Sequence, residues 1–234
     1  MIIALLLTIA LLLLLFILNN NYFKVTNDTF INEKGTNEKG TNDNKTNGQN
    51  IVLIGDSILN NSAYVSADKS VPDLLSKKMN ECTIYNFAKD GSTLNDCYTQ
   101  LDKISLELNN SNTTIFLSCG GNNILNSRRQ LDANAITNLF NQYSELITSI
   151  KTRVPNASLY VLNLYYPVNS HYKSYHKPIE QWNRLLEDNA SALKYNLIDL
   201  SSLLVLEEDF AYDIEPSFKG GQKIVEAISN MVIN

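Results

Sequence analysis

Ile51-Val-Leu-Ile-Gly-Asp-Ser57 is the stretch of sequence that decides the fold of this chain. Four apolar residues that end in Gly-Asp-Ser are typical of a fully buried strand of a parallel sheet. Ligands of such sheets bind at the carboxyl ends of the strands, which is where Ser57 would lie. Gly-Asp-Ser is also common in simple turns and helix N-caps, so this tripeptide alone does not establish a site.

Strand-like and helix-like segments alternate from Ile51 onward. The strand candidates are residues 51–54, 83–87, 114–118, 158–163 and 196–200. Apolar residues recur at helical spacing from Ile136 to Ile150 and from Ile179 to Leu193. Ser70-Val-Pro-Asp73 resembles a capping box that opens the first helix, and the last helix is predicted over residues 221–231 with Met231 facing inward. This alternation predicts an α/β layered domain with a five-stranded, mainly parallel sheet.

The first fifty residues have a different character. Residues 1–18 are almost wholly apolar and long enough to span a bilayer. They lack a basic n-region and a small-residue cleavage site, which favours an uncleaved anchor over a signal peptide. Residues 25–49 contain a repeated Asn-Glu-Lys-Gly-Thr unit and almost no apolar residues, so they do not bury enough surface to fold. We predict a single-pass membrane anchor over residues 1–24, in contact with the bilayer through residues 2–18, a disordered linker over 25–49, and one domain over 50–234.

Charge and metal-ligating residues limit the function classes. The formal net charge is -5, and no basic cluster offsets it, which argues against nucleic acid as a partner. The spacing of the three cysteines and two histidines resembles no zinc site. Cys82, Cys97 and Cys119 are predicted as small core residues rather than a disulfide framework. No metal or organic cofactor is predicted.

Three further segments follow predicted strands or precede the last helix. Gly91 follows the second strand and offers an unobstructed N–H. Ser118-Cys-Gly-Gly-Asn-Asn123 follows the third strand and presents an amide side chain that could donate to an anionic oxygen. Asp213-Ile-Glu-Pro-Ser217 precedes the last helix. Each segment taken alone could be a simple turn or helix cap. Their order after successive strands favours a shared site.

These segments resemble the four blocks of the SGNH (GDSL-type) hydrolase family. The blocks are Gly55-Asp56-Ser57, the segment around Gly91, Gly120-Gly121-Asn122-Asn123, and a final block ending in Glu215-Pro216-Ser217. Gly-Asp-Ser-Ile, Asp-Gly-Ser-Thr and Ile-Glu-Pro-Ser with a following Gly-Gly are similar to one subgroup of that family. The resemblance covers residues 50–234 and implies a flavodoxin-like three-layer α/β/α sandwich that hydrolyses esters or acyl groups.

The resemblance also implies roles for individual residues. Ser57 would be the nucleophile, and its own N–H, the N–H of Gly91 and the side-chain amide of Asn122 would form the oxyanion hole. Fixed donors of this kind stabilise the tetrahedral intermediate of acyl transfer by about 3 kcal/mol each. The family's Asp-x-x-His before proline is missing, because Glu215 stands in the place of the histidine. Asn123 replaces an aspartate of the third block, where we expect a structural role.

The group that accepts the proton of Ser57 is therefore left open. Glu215 is ranked first, because the similar subgroup also has Glu at this place, but it would need a pKa raised by burial. His171 or His176 could instead reach the site from the loop over residues 165–177. Asp213 is a weaker candidate for orienting the site. In the third interpretation, the domain binds its ligand without catalysis.

These considerations lead us to expect a membrane-tethered serine esterase. It would cleave small acyl or O-acetyl groups from small-molecule or glycan esters through an acyl-serine intermediate, on a side of the membrane that the sequence leaves open. The first alternative is an inactive domain of the same fold that binds carbohydrates or esters. The second is a nucleotide-binding module with Asp56 as an acidic pocket residue, although no glycine-rich phosphate loop follows the first strand.

Overall fold

Five parallel strands form the central sheet of the computed structural model, which describes residues 48–127 and 131–233. The strands are β1 (Asn50–Gly55), β2 (Thr83–Asn86), β3 (Thr113–Ser118), β4 (Ser158–Leu162) and β5 (Asn196–Ile198). Their order across the sheet is β2-β1-β3-β4-β5, and the register pairs Ile51 with Ile84 and Thr114. β1 lies between two strands and under helices on both faces, which explains its continuous apolar run.

Helices cover both faces of this sheet. They are α1 (Val71–Lys78), α2 (Leu94–Asp102), α3 (Gly121–Leu125), α4 (Ala133–Arg153), α5 (His176–Leu193) and α6 (Phe218–Ile233). The chain moves one way across the sheet from β1 to β2 and the other way from β2 through β3 and β4 to β5. Because such crossovers are right-handed, α1 lies on one face and α2, α4 and α5 lie on the other. α6 packs against α1, and α4 packs against α5. The result is the predicted α/β/α layering.

The core lies between the sheet and its helices. Residues 51–54 are completely buried. The stripe predicted in α4 is buried at Ile136, Phe140, Tyr143, Leu146, Ile147 and Ile150. On α5, the ring of Trp182 packs edge-on against Tyr143, with ring centroids 5.1 Å apart. The apolar periodicity of the sequence thus identified the faces that exclude water.

Most predicted boundaries agree with the structure within two residues, and Ser70 caps α1 as expected. Its hydroxyl accepts the N–H of Asp73 at 3.4 Å, and the Asp73 carboxylate accepts the N–H of Ser70 at 3.1 Å. The last helix differs, since it begins at Phe218 and leaves Met231 41% exposed. The inward prediction for Met231 was wrong because the buried stripe continues through Val225 and Val232 instead.

The predicted anchor over residues 1–24 lies outside the described residues, and so does the predicted linker apart from Gly48 and Gln49. The carbonyl of Gln49 accepts the N–H of Thr83 at 2.9 Å, so main-chain pairing with the sheet begins just before β1. Within residues 48–127 and 131–233, no helix is long and apolar enough to cross a membrane. The three cysteines are free thiols, two of them buried, in agreement with the prediction.

Candidate active site

Ser57 lies in the turn that follows β1. The turn begins at Gly55, where a Cβ would lie 1.9 Å from the carbonyl oxygen of Ser118, so the residue must be glycine. The carbonyl of Asp56 accepts the N–H of Leu59 at 3.1 Å and closes the turn. The chain leaves β1 and the adjacent β3 in opposite directions, so Ser57 lies at the topological switch point of the sheet. This is the place where ligands of such sheets bind.

A buried glutamine joins this turn to the loop after β2. Gln100 on α2 is 4% exposed, and its Oε1 accepts the N–H of Gly55 at 2.7 Å. Its Nε2 donates to the carbonyl of Gly55 at 2.9 Å and to Oγ of Ser92 at 3.0 Å. Gln100 therefore fixes the end of β1 and the Gly91–Ser92 segment relative to each other. The sequence carries no signal for this role, because the glutamine is distant from every motif.

Asn122 is held beside Ser57 by the first turn of α3. Gly120 precedes α3 with φ of 108°, and a Cβ there would lie 2.5 Å from Cζ2 of Trp182. Nδ2 of Asn122 donates to the carbonyl of Ser92 at 2.9 Å. An amide carries two N–H groups, so this bond orients the side chain and leaves a second donor for a substrate oxygen. Oδ1 of Asn123 accepts the N–H of Leu94 at 2.9 Å, which is the structural role expected of it.

Gly91 lies in the turn after β2. Its φ is 76°, and the space where a Cβ would stand is open. It is exposed, and it is not among the described residues that line the cleft beside Ser57. Its neighbour Ser92 holds Asn122, so the structure connects the Gly91 block to the site through Ser92.

Glu215 lies on a short antiparallel hairpin before α6. The hairpin pairs β6 (Phe210–Ala211) with β7 (Glu215–Pro216). The hydroxyl of Tyr165 donates to the carbonyl of Ile214 at 2.7 Å, and Nδ2 of Asn61 donates to the carbonyl of Pro216 at 3.1 Å. These bonds attach the hairpin to the segments after β4 and β1. Glu215 reaches the carboxyl edge of the sheet in this way, although it belongs to none of its strands.

The Glu215 carboxylate is close to the Ser57 hydroxyl. Burial raises the pKa of Glu215, and the charge of Asp90 acts in the same direction. Hydrogen bonding with the hydroxyls of Ser57 and Tyr64 opposes this rise without cancelling it. Oε2 of Glu215 is buried and has no hydrogen-bond partner among the described residues. The carboxylate therefore has the capacity to accept a proton.

Asp56 is a second buried carboxylate in the same cleft. It is 2% exposed, and burial raises its pKa from 3.8 to about 7, with a contribution from the charge of Glu215. Its Oδ1 accepts the N–H of Ile58 at 3.1 Å and the hydroxyl of Ser118 at 3.3 Å. A negative charge on Glu215 therefore adds to the effect of burial in favouring the protonated form of Asp56.

The structure does not bring the two histidines to Ser57. His171 is exposed in a 3-10 helix at Ser170–Tyr175, and the ring of His176 is 2.8 Å from the carbonyl oxygen of Pro167. The segment predicted as a loop is thus partly helical, and neither histidine lines the cleft. Asp213 is exposed in the turn of the hairpin, with φ of 69°. In the described part of the chain, no group of three or more His, Cys, Asp or Glu could hold a metal ion.

The cleft beside Ser57 has a polar end and an apolar wall. It encloses about 450 Å³ of empty space, including its open mouth. The polar end is formed by Asp56, Ser57, Asn122 and Glu215. The apolar wall is formed by Ile58, Ile124, Leu125, Leu164, Ile179 and Ile214. A nucleophile, a carboxylate and an amide donor at the end of an apolar cleft suit the cleavage of an acyl group.

Comparison with known proteins agrees with this geometry. A family model for GDSL-like lipases and acylhydrolases matches residues 53–222. The chain belongs to the GDSL-like lipase/acylhydrolase family. No curated protein matches it.

Solved structures of lipolytic proteins share its fold. A lipolytic G-D-S-L family protein from Veillonella parvula has 17% sequence identity and a TM-score of 0.63, covering 80% of this chain and 99% of its own. A lipase from a goat rumen metagenome has 20% identity and a TM-score of 0.62, covering 78% and 96%. An extracellular lipase from Streptomyces rimosus has 15% identity and a TM-score of 0.59, covering 78% and 99%. At these identities the likeness concerns the fold, and the family membership supports an ester hydrolase.

Sequence reasoning missed three residues of the GDSL-like site. Asp56 was considered only for a nucleotide-binding module, although it adjoins Ser57. Gln100 and Tyr64 belong to no block and reach the site only through folding. An Asp directly before the nucleophile was the one available signal, since a carboxyl group at a buried strand end is expected to have a raised pKa.

Proposed function

We propose that this GDSL-like protein is a serine esterase in which Ser57 is the nucleophile and Glu215 is the general base. One observation carries the proposal: Ser57, Asn122 and the half-buried Glu215 line the same cleft at the carboxyl end of β1, where the Ser57 hydroxyl is close enough to influence the pKa of the Glu215 carboxyl. A serine needs a base within hydrogen-bond reach to become nucleophilic, and Glu215 occupies that place.

In the acylation step, Oγ of Ser57 attacks the carbonyl carbon of the ester while Glu215 accepts the hydroxyl proton. The carbonyl oxygen becomes an oxyanion, which the free N–H of Asn122 stabilises together with main-chain N–H groups. The bond to the alcohol oxygen then breaks. Glu215 returns its proton to that oxygen, the alcohol leaves, and the acyl group remains on Ser57.

In the deacylation step, water replaces the alcohol. Glu215 accepts a proton from the water, whose oxygen attacks the acyl carbon. The bond to Oγ breaks, Ser57 regains a proton from Glu215, and a carboxylic acid is released. The overall reaction consumes one water for each ester, so no cofactor is required.

The surroundings of Glu215 suit its proposed role as general base. An ordinary carboxylate is a weak base at neutral pH, but burial and the charge of Asp90 raise its pKa. The hydroxyls of Ser57 and Tyr64 act in the opposite direction and lower this pKa. Burial also raises the pKa of the neighbouring Asp56, to about 7.

The apolar wall favours a short acyl chain. Its aliphatic side chains offer no hydrogen bonds to a polar acyl group, and the volume of about 450 Å³ includes the open mouth. The part of the cleft that a ligand could fill is only about 40 Å³, well below the roughly 300–1,000 Å³ of typical small-molecule cavities. We infer that acetyl and similarly small groups are the preferred acyl groups.

Fluorophosphonate labelling of the full chain tests the nucleophile. We expect the wild type to form a covalent adduct, Ser57→Ala to form none, and Ser62→Ala, an exposed serine in the following segment, to label like the wild type. Hydrolysis of acetyl esters should follow the same order.

Two results would contradict this assignment. Labelling that persists in Ser57→Ala would place the nucleophile elsewhere. A folded wild type that binds esters but never reacts with the probe at any pH would indicate the inactive binding domain.

We also propose that residues 1–24 tether the esterase to a membrane. The support is the apolar character of residues 1–18 and the polar repeat after it. We expect the full chain to remain in the membrane pellet after alkaline extraction and a chain starting at residue 48 to be released. Release of both chains would count against the tether.

A further inference from the structure

β1 extends beyond its neighbour β2 at the end that leads to the site. The pairing of these two strands stops at Leu53 and Asn86, whereas β1 stays paired with β3 up to Gly55. The N–H and the carbonyl of Gly55 point to the β2 side, where the carbonyl accepts the N–H of Lys89 at 3.0 Å. Because buried main-chain groups need partners, the N–H of Gly55 requires one that β2 does not supply.

Gln100 supplies this partner from α2. A side-chain amide carries the same donor and acceptor groups as a peptide unit, and Gln100 uses both toward Gly55. Its Oε1 accepts the N–H of Gly55 at 2.7 Å, and its Nε2 donates to the carbonyl at 2.9 Å. Gln100 is 4% exposed, so these bonds lie away from bulk water. The side chain therefore acts as an additional strand residue beside the end of β1.

The second N–H of the Gln100 amide extends the connection to Asn122. It donates to Oγ of Ser92 at 3.0 Å, and Ser92 is itself 4% exposed. The carbonyl of Ser92 accepts Nδ2 of Asn122 at 2.9 Å. A continuous series of hydrogen bonds thus runs from the end of β1 through Gln100 and Ser92 to the amide of Asn122.

The two ends of this series carry the two halves of the proposed reaction centre. Ser57 follows Gly55 by two residues, and Asn122 is the proposed oxyanion donor on α3. Such a donor is effective only at about 2.7–3.1 Å from the developing charge, and a misplacement of about 1 Å can cost on the order of 100-fold in rate. The distance between nucleophile and donor therefore depends on the residue that joins their two segments.

We propose that Gln100 is a positioning residue of the reaction: its amide completes the hydrogen bonding of β1 and, through Ser92, holds Asn122 at the distance from Ser57 that the oxyanion requires. This inference rests on the proposed esterase function. The oxyanion exists in the transition state and not in the bound ester. Loss of the positioning therefore slows the chemical step and leaves substrate binding nearly unchanged.

Two variants of the full chain, Gln100→Met and Ser92→Ala, test this role with phenyl acetate as the substrate. Gln100→Met removes the whole series of bonds, and Ser92→Ala removes only the bond between Gln100 and Ser92. The measured quantity is kcat per active site, where the active sites are counted by prolonged fluorophosphonate labelling. We expect kcat per site to fall about 10- to 100-fold in Gln100→Met and about tenfold in Ser92→Ala, with KM within about twofold.

A trifluoromethyl ketone provides a second readout that a purely structural role would not change. Oγ of Ser57 adds to its carbonyl carbon, the hydroxyl proton passes to Glu215, and the carbonyl oxygen becomes an oxyanion. The inhibition constant of this ketone should rise in both variants by the same factor as kcat per site falls, because both depend on the same donor. An unchanged inhibition constant would contradict the proposal.

A double-mutant cycle tests whether the effect passes through Asn122. Asn122→Ala alone should lower kcat per site by about 100-fold, because one oxyanion donor is lost. Adding Ser92→Ala to Asn122→Ala should then cost less than about twofold, since the donor that Ser92 positions is already absent. A further tenfold loss would show independent effects and overturn the proposal.

Gln181→Met is the matched control. The Nε2 of Gln181 donates to the carbonyl of Ala133 at 2.8 Å, and Gln181 is not among the described residues that line the cleft. This variant should keep kcat per site within about twofold. If Gln100→Met does not fold, Ser92→Ala still decides, because it retains Gln100 and its bonds to Gly55. Unchanged kcat per site in Ser92→Ala, or a loss that appears only in KM, would overturn the proposal.

Failure of the esterase proposal gives a different result. A wild type that neither labels with fluorophosphonate nor hydrolyses phenyl acetate would refute the proposed function. NMR of the Asn122 side-chain amide then tests the positioning by itself. Signals that shift or broaden in Ser92→Ala would support the connection through Ser92, and signals identical to those of the wild type would refute it.

Discussion

At the scale of single residues, the proposed site differs from a serine–histidine pair because Glu215, a carboxylate, is the group proposed to receive the proton. Imidazole has an ordinary pKa near neutrality, whereas a carboxylate reaches that range only if its surroundings disfavour the charge. Here burial and Asp90 raise the pKa of Glu215, while Tyr64 and Ser57 lower it. The basicity of Glu215 is thus set by neighbours, and changes in them should be visible in the pH profile.

The pH profile of kcat/KM tests this balance. Activity should fall on the acidic side with a midpoint above 4.5, the ordinary value for glutamate, because Glu215 must be ionised and its pKa is raised. Tyr64→Phe removes a hydrogen bond that lowers this pKa, so the midpoint should move to higher pH. Glu215→Gln should reduce kcat/KM by about 100-fold or more.

Tyr98→Phe is the matched control for Tyr64→Phe. The hydroxyl of Tyr98 donates to the carbonyl of Gln142 at 3.3 Å, on the surface between α2 and α4. Its loss should leave the midpoint unchanged. A Tyr64→Phe profile that coincides with the wild-type profile would show that Tyr64 does not set the basicity of Glu215.

Asp56 predicts a pH dependence of stability. Its pKa rises from 3.8 in the unfolded chain to about 7 in the folded one. Between these values the folded chain holds a proton that the unfolded chain has released, so stability falls as the pH rises through this window. Asp56→Asn keeps the Oδ1 acceptor for Ile58 and Ser118, and it should flatten the decline in melting temperature between about pH 4 and 7. Equal slopes in the two proteins would contradict the assignment.

At the scale of elements, three connections carry the site to the edge of the sheet. The turn after β1 carries Ser57, α3 carries Asn122, and the β6–β7 hairpin carries Glu215. Each is held by contacts that are distant in sequence. Asp209 illustrates this for the hairpin, since its carboxylate pairs with Lys223 of α6 at 2.7 Å and its carbonyl accepts the N–H of Ser217 at 2.8 Å.

Gly120→Ala tests the packing that positions α3. The φ of 108° is unfavourable for alanine, and the new Cβ would lie 2.5 Å from the fully buried Trp182 ring. We expect a loss of roughly 2–4 kcal/mol in the free energy of unfolding, measured by denaturant titration. Gly121→Ala is the control, because its Cβ would lie 3.4 Å from Leu164 with no adverse φ, and it should cost less than about 1 kcal/mol. Equal losses would contradict this explanation.

The secondary-structure elements differ in how closely the sequence predicted them. The strands of the sheet and α4 were predicted closely, because apolar periodicity is a local property of many consecutive residues. The β6–β7 hairpin was not predicted, because strands of two residues are too short for a period. The same limit concealed the positive φ angles of Tyr212 and Asp213, 49° and 69°, in the turn of this hairpin. The inward prediction for Met231 was wrong because the apolar spacing of a helix constrains its terminal residues only weakly.

At the scale of the whole molecule, the described residues 48–127 and 131–233 belong to one compact unit. β1 lies between β2 and β3 in the sheet and supplies residues 51–54 to the core. The domain therefore depends on β1 and should not depend on the segment before it. This property separates the proposed catalytic domain from the proposed tether.

Truncation tests this independence. A chain that starts at residue 48 should unfold cooperatively, with a melting temperature close to that of the full chain and with fluorophosphonate labelling retained. A chain that starts at residue 56 loses β1 and should not fold, because the buried residues 51–54 leave a gap in the middle of the sheet. A low melting temperature for the first truncation, compared with the full chain, would show that residues 1–47 contribute to stability.

The sequence by itself determined the α/β class and the strand ends, because buried strands, helical stripes and turn glycines leave signals within a few consecutive residues. Its resemblance to the SGNH family identified Ser57, Asn122 and Glu215 as site residues to be tested. Only the tertiary structure decided which of Glu215, His171 and His176 stands beside Ser57, since this depends on where a short hairpin meets a distant turn. Burial, which raises the pKa of Glu215 and Asp56, is likewise a property of the packed molecule, because it requires side chains from several elements to exclude water together.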